Sequence, residues 1–181
     1  DNANEMVYLL NSISPKVSTA RSPINLQEIV EKILNDEIGN DNDLITVSTQ
    51  YSSNVFKIMA DPTLFGQLLS QIIRNAIHSM TIMLPEGTKQ SGKLDITIQE
   101  ASNNPEYYQI QIIDNGIGIE TDHQSQIFLP FFTTKKAQGG KGLGLCIAYN
   151  ICQQHKGTIA INSMSGEGTT VSLTFPSIKN E

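Results

Sequence analysis

At 181 residues the chain has room for one domain with a proper core and a short appendage. Its formal net charge of −6 argues against a nucleic-acid role driven by phosphate neutralisation. No apolar run approaches the ~20 residues of a membrane span and no signal-peptide pattern opens the sequence, so no membrane is expected through this stretch.

The two cysteines, Cys146 and Cys152, fall six apart in one helical pattern and therefore on different faces. That spacing points to neither a disulfide nor a metal site, and to a reducing cytoplasm. The sequence starts at Asp1 rather than at a Met, as a piece of a longer protein would.

Taken in order, Met6, Leu9, Leu10, Ile13 and Val17 have helical spacing interrupted by Pro15, which reads as a truncated helix and linker over residues 1–23. The domain proper is expected over 24–176, with a tail at 177–181. Asn25 followed by Glu28 reads as a helix cap with a box-like partner. Leu26, Ile29, Val30, Ile33 and Leu34 then form one apolar stripe, stopped by Gly39 and an Asn/Asp run. Residues 44–50 and 55–60 read as two strands around a Ser-Ser-Asn turn.

Asp61-Pro62 is a helix start, with the carboxylate as cap and proline in the first turn. The spacing predicts a helix to about Met80 with a broad apolar face. Its polar remainder, Gln67, Gln71, Arg74, Asn75 and His78, recurs at three and four residues. Residues 85–93 read as a loop, and 94–100 and 107–113 as paired strands, the second delivering Asp114. A loop of about twenty residues over 119–139 is long for a compact domain and so is expected to be functional. A helix over 143–154 and a hairpin of 158–162 with 170–175 complete the chain.

The chemistry sits at both ends of that long loop. Asp114-Asn115-Gly116-Ile117-Gly118 puts a carboxylate at the end of a strand, with glycines that allow φ > 0 and close approach to a flat ligand. Gly139-Gly140-Lys141-Gly142-Leu143-Gly144-Leu145 is a glycine-rich turn opening a helix, where N–H groups and the positive dipole end suit phosphates. One end can hold a base and the other a polyphosphate, which together fit a purine nucleoside triphosphate.

Around the Phe128-Leu129-Pro130-Phe131-Phe132-Thr133-Thr134-Lys135-Lys136 segment, these motifs resemble the ATP-binding domain of sensor histidine kinases, within the wider Bergerat-fold group of gyrase, mismatch-repair and chaperone ATPases. Residues 114–118 look like the G1 box, 128–132 the F box, 140–145 the G2 box and 71–76 the N box. Gly166-Glu167-Gly168-Thr169 looks like a third glycine box. The resemblance covers roughly residues 24–176. It implies a two-layer α/β sandwich, with helices packed on one face of a mixed β-sheet and a lid over about 115–141. Phe128, Phe131 and Phe132 would anchor that lid or offer it to a partner.

The resemblance also implies roles. Asp114 would accept a hydrogen bond from the amine of adenine, supported by Thr169, with Gly116, Gly118 and Ile119 beside them. Asn75 would offer its amide oxygen to Mg²⁺ bridging the phosphates of ATP. Gln71 would share its helix face, and His78, one turn on, could reach a phosphate or be a surface histidine. Phe132, Thr133 and Lys135 would lie along the lid. Gly140, Lys141, Gly142, Leu143, Gly144 and Leu145 would meet the phosphates, with Lys135 and Asn75 the groups closest to the chemistry.

The expected reaction is γ-phosphoryl transfer to a histidine on a dimerisation helix; the alternatives are an ATP-hydrolysing domain of the same superfamily or a non-catalytic nucleotide-binding module. The implied partners are the dimerisation and histidine-phosphotransfer helices of the same protein, a second copy in a homodimer, and a response-regulator receiver domain. None of His78, His123 and His155 has the setting of an acceptor, a helical His followed by an acidic residue and then a proline. His123 and His155 read as structural or solvated. The chain should thus bind ATP without phosphorylating itself.

Overall fold

The computed structural model describes residues 20–38, 44–52, 56–82, 92–134 and 140–178. The expected truncated helix before Ala20, most of the 85–93 loop, Lys135 and the last residues of the tail lie outside that set. Five strands form one mixed sheet in the order β2-β4-β5-β7-β6: β2 Ile45–Tyr51, β4 Gly92–Ala101, β5 Asn104–Asp114, β6 Thr158–Met164 and β7 Gly168–Pro176. Only β2 and β4 run parallel; the other neighbours are antiparallel. The helices α1 Leu26–Ile38, α2 Pro62–Ile82 and α4 Gly144–Gln154 pack on one face, and a short α3, Thr121–Gln124, lies in the long loop.

Period-two alternation explains the one-sided packing. Leu94, Ile96 and Ile98 of β4, Ile110 and Ile112 of β5, and Val171, Leu173 and Phe175 of β7 are buried against the helices. The opposite face carries Thr97, Gln99, Gln109, Gln111, Ser172 and Thr174, with Gln111 reaching Ser172 across the strands at 3.5 Å. A solvated sheet face accounts for a hydrophobic content of only 39%. Continuing the same alternation puts Asp114 and Thr169 on the helix-covered face, directly opposite each other in register.

The helix starts follow the sequence. Asn25 Oδ1 accepts the Gln27 N–H at 3.2 Å, while the Asn25 amide donates to Glu28 at 3.1 Å. Asp61 Oδ1 accepts the N–H groups of Thr63 and Leu64 at 2.8 and 3.1 Å. Arg74 pairs with Glu37 at 2.6 Å and Ser70 donates to the same carboxylate, tying α2 to α1. Burial pushes the Glu37 carboxyl up, but these donors outweigh it and hold the group below its ordinary value.

The structure adds pairing and bounds to these expectations. The strands around the Ser-Ser-Asn turn do not pair with each other: β2 joins the sheet edge beside β4, and β3, Lys57–Ala60, pairs instead with β1, Ser22–Asn25. Strand β1 is only four residues long and holds Pro23, a residue confined to sheet edges, so no alternation announces it. Gly92 and Lys93 belong to β4 rather than to the preceding loop. Both cysteines are buried and free, and burial pushes the Cys152 thiol up to about 12.

His155 is structural, and it fastens the far end of α4. Its Nε2 accepts the Asp61 N–H at 3.0 Å, which puts the ring proton on Nδ1, 2.8 Å from the Ile151 carbonyl. Burial is the main cause that lowers its pKa, with Arg21 adding to it and the Ile151 bond and Asp61 opposing. The native state therefore keeps the imidazole neutral while the unfolded chain protonates it near pH 6.5. Its contribution is present above that pH and is lost as pH falls below it, by at most about 1.4 kcal/mol per pH unit. Urea denaturation between pH 7.5 and 5.5 should show this loss in the parent and a shallower one in His155→Gln. Equal slopes in both would remove His155 as the acid-sensitive group.

Candidate functional site

Helix α2 supplies the first wall. Gln71, Asn75 and Ser79 recur every four residues and so form one stripe, which faces a cavity of about 610 Å³. Leu68, Leu69, Ile72, Ile73, Ala76 and Met80 bury against the sheet and fix the rotation of that stripe. Ser79 was not among the residues singled out from sequence, although its spacing from Asn75 was the available signal.

Strand β5 supplies the second wall. Asp114 ends it, buried to 6% exposure, and its Oδ1 accepts from Ser79 Oγ and from the Gly116 N–H, both at 2.9 Å. The chain then runs against α2, with the Ile117 N–H donating to the Ser79 carbonyl at 3.2 Å. A Cβ on Gly116 would fall 2.2 Å from Ser79 Oγ and 2.6 Å from the Ser79 carbonyl carbon, so only glycine fits there.

The third wall is the β6–β7 turn. Ser163 Oγ donates to the Gly168 carbonyl at 2.9 Å and accepts the Ile119 N–H at 2.9 Å. Its remaining contact, with Thr169 Oγ1 at 2.9 Å, then makes Thr169 the donor of that pair. Thr169 therefore presents acceptor capacity to the cavity that it lines. Ser163 also went unnoticed in the sequence, because its role follows from register with Thr169. Gln124 of α3 donates to the Ile119 and Ser163 carbonyls, tying the start of the long loop to β6.

The fourth wall joins the aromatic segment to the glycine-rich helix start. The Phe131 N–H donates to the Gly142 carbonyl at 2.8 Å, and Phe131 holds a left-handed φ of 66°. That conformation costs about 1–2 kcal/mol in a residue with a Cβ. Phe132 lines the cavity with its ring against His123, Phe128 packs on Tyr149 of α4, and Phe131 is exposed. Leu143 occupies the cap position of α4 and offers no side-chain acceptor. The start of the helix opens on the cavity through Gly140, Lys141, Gly142, Leu143, Gly144 and Leu145. A Cβ on Gly144 would fall 2.6 Å from Gln71 Oε1, which brings the amide of Gln71 to the start of α4.

Of the residues expected at a site, Gln71, Asn75, Asp114, Gly118, Ile119, Phe132, Thr133, Thr169 and the 140–145 segment thus converge on one cavity. Gly116 is next to it, packed against α2, and His78 is on α2 outside the lining. Lys135 lies outside the described residues. Among those residues no cluster of three His, Cys, Asp or Glu side chains could hold a metal ion. The Asn75 amide oxygen is a hard, neutral donor, which suits Mg²⁺ that takes its other ligands from phosphate oxygens and water.

Residues 60–179 match the family described as histidine kinase-, DNA gyrase B-, and HSP90-like ATPase. The chain belongs to that family. The sensor histidine kinase ZraS of Salmonella typhi is 31% identical over 184 residues, covering 100% of this chain and 37% of ZraS. The sensor-like histidine kinase SenX3 of Mycobacterium tuberculosis is 32% identical over 183 residues, covering 96% of this chain and 42% of SenX3. This chain therefore spans less than half the length of these curated relatives. Among solved structures, the catalytic domain of histidine kinase ThkA superposes with a TM-score of 0.70 at 25% identity, covering 87% of this chain and 98% of that one. The mycobacterial sensor histidine kinase MprB gives 0.72 at 19% identity, covering 87% and 98%, and supports the fold. The helix-on-one-face sheet expected from the sequence is the fold of this ATPase family.

In this member of the ATPase family the contact between Gly116 and α2 sets where Asp114 sits. Gly116→Ala should cost about 1–3 kcal/mol of stability through overpacking. Chemical denaturation measures it, and a variant as stable as the parent would show that the loop does not press on Ser79 in solution.

Proposed function

We propose that this chain is the ATP-binding, phosphoryl-donating domain of a two-component sensor histidine kinase, working in the cytoplasm within a homodimer. The supporting observation is that a buried carboxylate, a helix-borne asparagine and a glycine-rich helix start face one cavity. Asp114 accepts a hydrogen bond from the exocyclic amine of adenine. Guanine presents an oxygen at that position and would set two acceptors against each other. The start of α4 and Lys141 meet the phosphates, and Lys135 joins them on the strength of its sequence position. Asn75 would hold Mg²⁺ through its amide oxygen, and the ion, when bound, would supply charge neutralisation on the phosphates.

The reaction is transfer of the γ-phosphoryl group from ATP to a histidine nitrogen on a dimerisation helix, leaving ADP. A response-regulator receiver domain is the onward partner. The acceptor histidine belongs to another part of the protein, so this chain contributes positioning and electrostatics. Residues from about 115 to 141 act as a lid over the nucleotide.

Asp114→Asn should cost roughly 1–3 kcal/mol of ATP affinity and narrow the preference over GTP, because an amide presents N–H groups to a donor. Calorimetric titration with both nucleotides checks it, and unchanged ATP affinity would take Asp114 out of the base site.

Gln71 decides how ATP is spent. It lines the cavity with Asn75 and lies against Gly144, and by the resemblance it takes the position at which hydrolysing members of the wider group carry a glutamate that activates water. A glutamine amide has no basic site near neutral pH, and the assistance it withholds is typically worth about 10²–10⁴-fold. ATP hydrolysis by this chain should be very slow and should rise in Gln71→Glu. Robust phosphate release by the unmodified chain, in a preparation free of contaminating ATPase, would favour a hydrolytic enzyme instead.

A further inference from the structure

The Ser79 hydroxyl has one proton and two acceptors within reach, the Ala76 carbonyl at 2.8 Å and Asp114 Oδ1 at 2.9 Å. Asp114 Oδ1 already serves as an acceptor for a backbone N–H, and it faces the Ser79 hydroxyl in the same role. The proton therefore goes to Asp114. The Gly116 N–H reaches the same oxygen from the loop side, also at 2.9 Å. Two donors from two different elements on one carboxylate oxygen fix the plane of the carboxyl group. The donors are not equivalent, since Gly116 belongs to the turn that follows β5 while Ser79 rides on a 21-residue helix packed into the core. Ser79 also holds that turn, by accepting the Ile117 N–H and by packing against Gly116.

We propose that Ser79 is a positioning residue for base selection: its hydroxyl orients the Asp114 carboxylate as acceptor for the exocyclic amine of adenine. The inference rests on the ATP-binding reading above. Ser79 itself lines the cavity, but its proton is committed to Asp114, so its effect on the base passes through that carboxylate. The consequence is specific. Loss of the hydroxyl should weaken nucleotides that carry the 6-amine and spare those that lack it.

The test is a cycle of two protein changes against two ligands. Calorimetry with Mg·ATP and with the triphosphate of purine riboside, which has no 6-amine, is run on the parent, Ser79→Ala, Ser79→Thr, Asp114→Asn and Asp114→Asn/Ser79→Ala. Ser79→Ala should weaken ATP about tenfold and the deaminated nucleotide by less than about twofold. Threonine can place its hydroxyl over the preceding turn of a helix as serine does, so Ser79→Thr should recover most of the ATP affinity. In the Asp114→Asn background the removal of Ser79 should have no further effect. Equal losses for both nucleotides would reduce Ser79 to a packing role and overturn the proposal, as would unchanged ATP affinity in Ser79→Ala. A folded Ser79→Thr that fails to recover would equally do so. Failure of the parent to bind Mg·ATP at all would instead strike down the ATP-binding reading, and the proposal with it.

Discussion

The site depends on a carboxylate held on the inner face of a sheet, at the end of a strand whose two preceding inward residues are isoleucines. Ile110 and Ile112 are buried in the core, and the same alternation carries Asp114 beneath α2. Burying a carboxyl group there is costly unless donors are waiting. They are, in Ser79 and the Gly116 N–H, and both act on a single oxygen. The remaining walls are placed relative to this arrangement. Thr169 lies opposite Asp114 in register, Ile119 is fixed through Ser163 to the same turn, and the α2 stripe that provides Ser79 also provides Asn75 and Gln71.

A second constraint comes from close approaches that only glycine allows. Gly116 brings the loop onto α2, and Gly144 lets the side chain of Gln71 reach the start of α4. In each case the missing Cβ is replaced by a neighbour from another element rather than by solvent. The glycines of this chain thus do two different jobs: some permit a left-handed turn, while others are contact surfaces. A purely conformational account of the two glycine boxes would miss the second job, which is the one that sets distances between walls.

Much of this was legible in the sequence because it follows from period and spacing. The core strands, the α2 stripe, the caps at Asn25 and Asp61 and the position of Asp114 all derive from local patterns that the tertiary structure obeys. What was not legible depended on pairing between distant segments. Strand β1 exists because β3 needs a partner, and β3 turned away from β2 although a polar turn seemed to join them. Ser163 has no signal of its own, since its role is to complete hydrogen bonding among Ile119, Gly168 and Thr169. Ser79 is the instructive case: the four-residue spacing was visible, but serine on a helix face ordinarily bonds back to its own turn, and only the register of β5 shows a better acceptor.

Helix α4 links these levels, because its two ends are treated in opposite ways. The N-terminal end has Leu143 at its cap and faces the cavity, so its helix dipole is offered to an anion. At the C-terminal end Arg21 donates to the Gln154 carbonyl, and His155 locks onto Ile151 and Asp61. A positive guanidinium at a helix C-terminus is the favourable sign for the dipole, as a phosphate is at the N-terminus. His155 satisfies its neighbours as a neutral ring with one donor and one acceptor, and protonation would turn that acceptor toward a backbone N–H as a second donor. Between the two ends Ala148, Ile151 and Cys152 are wholly buried, so the helix is held along its length by the core. On α4, then, polar partners hold the C-terminal end through Arg21 and His155, while the N-terminal end is the one that faces the cavity.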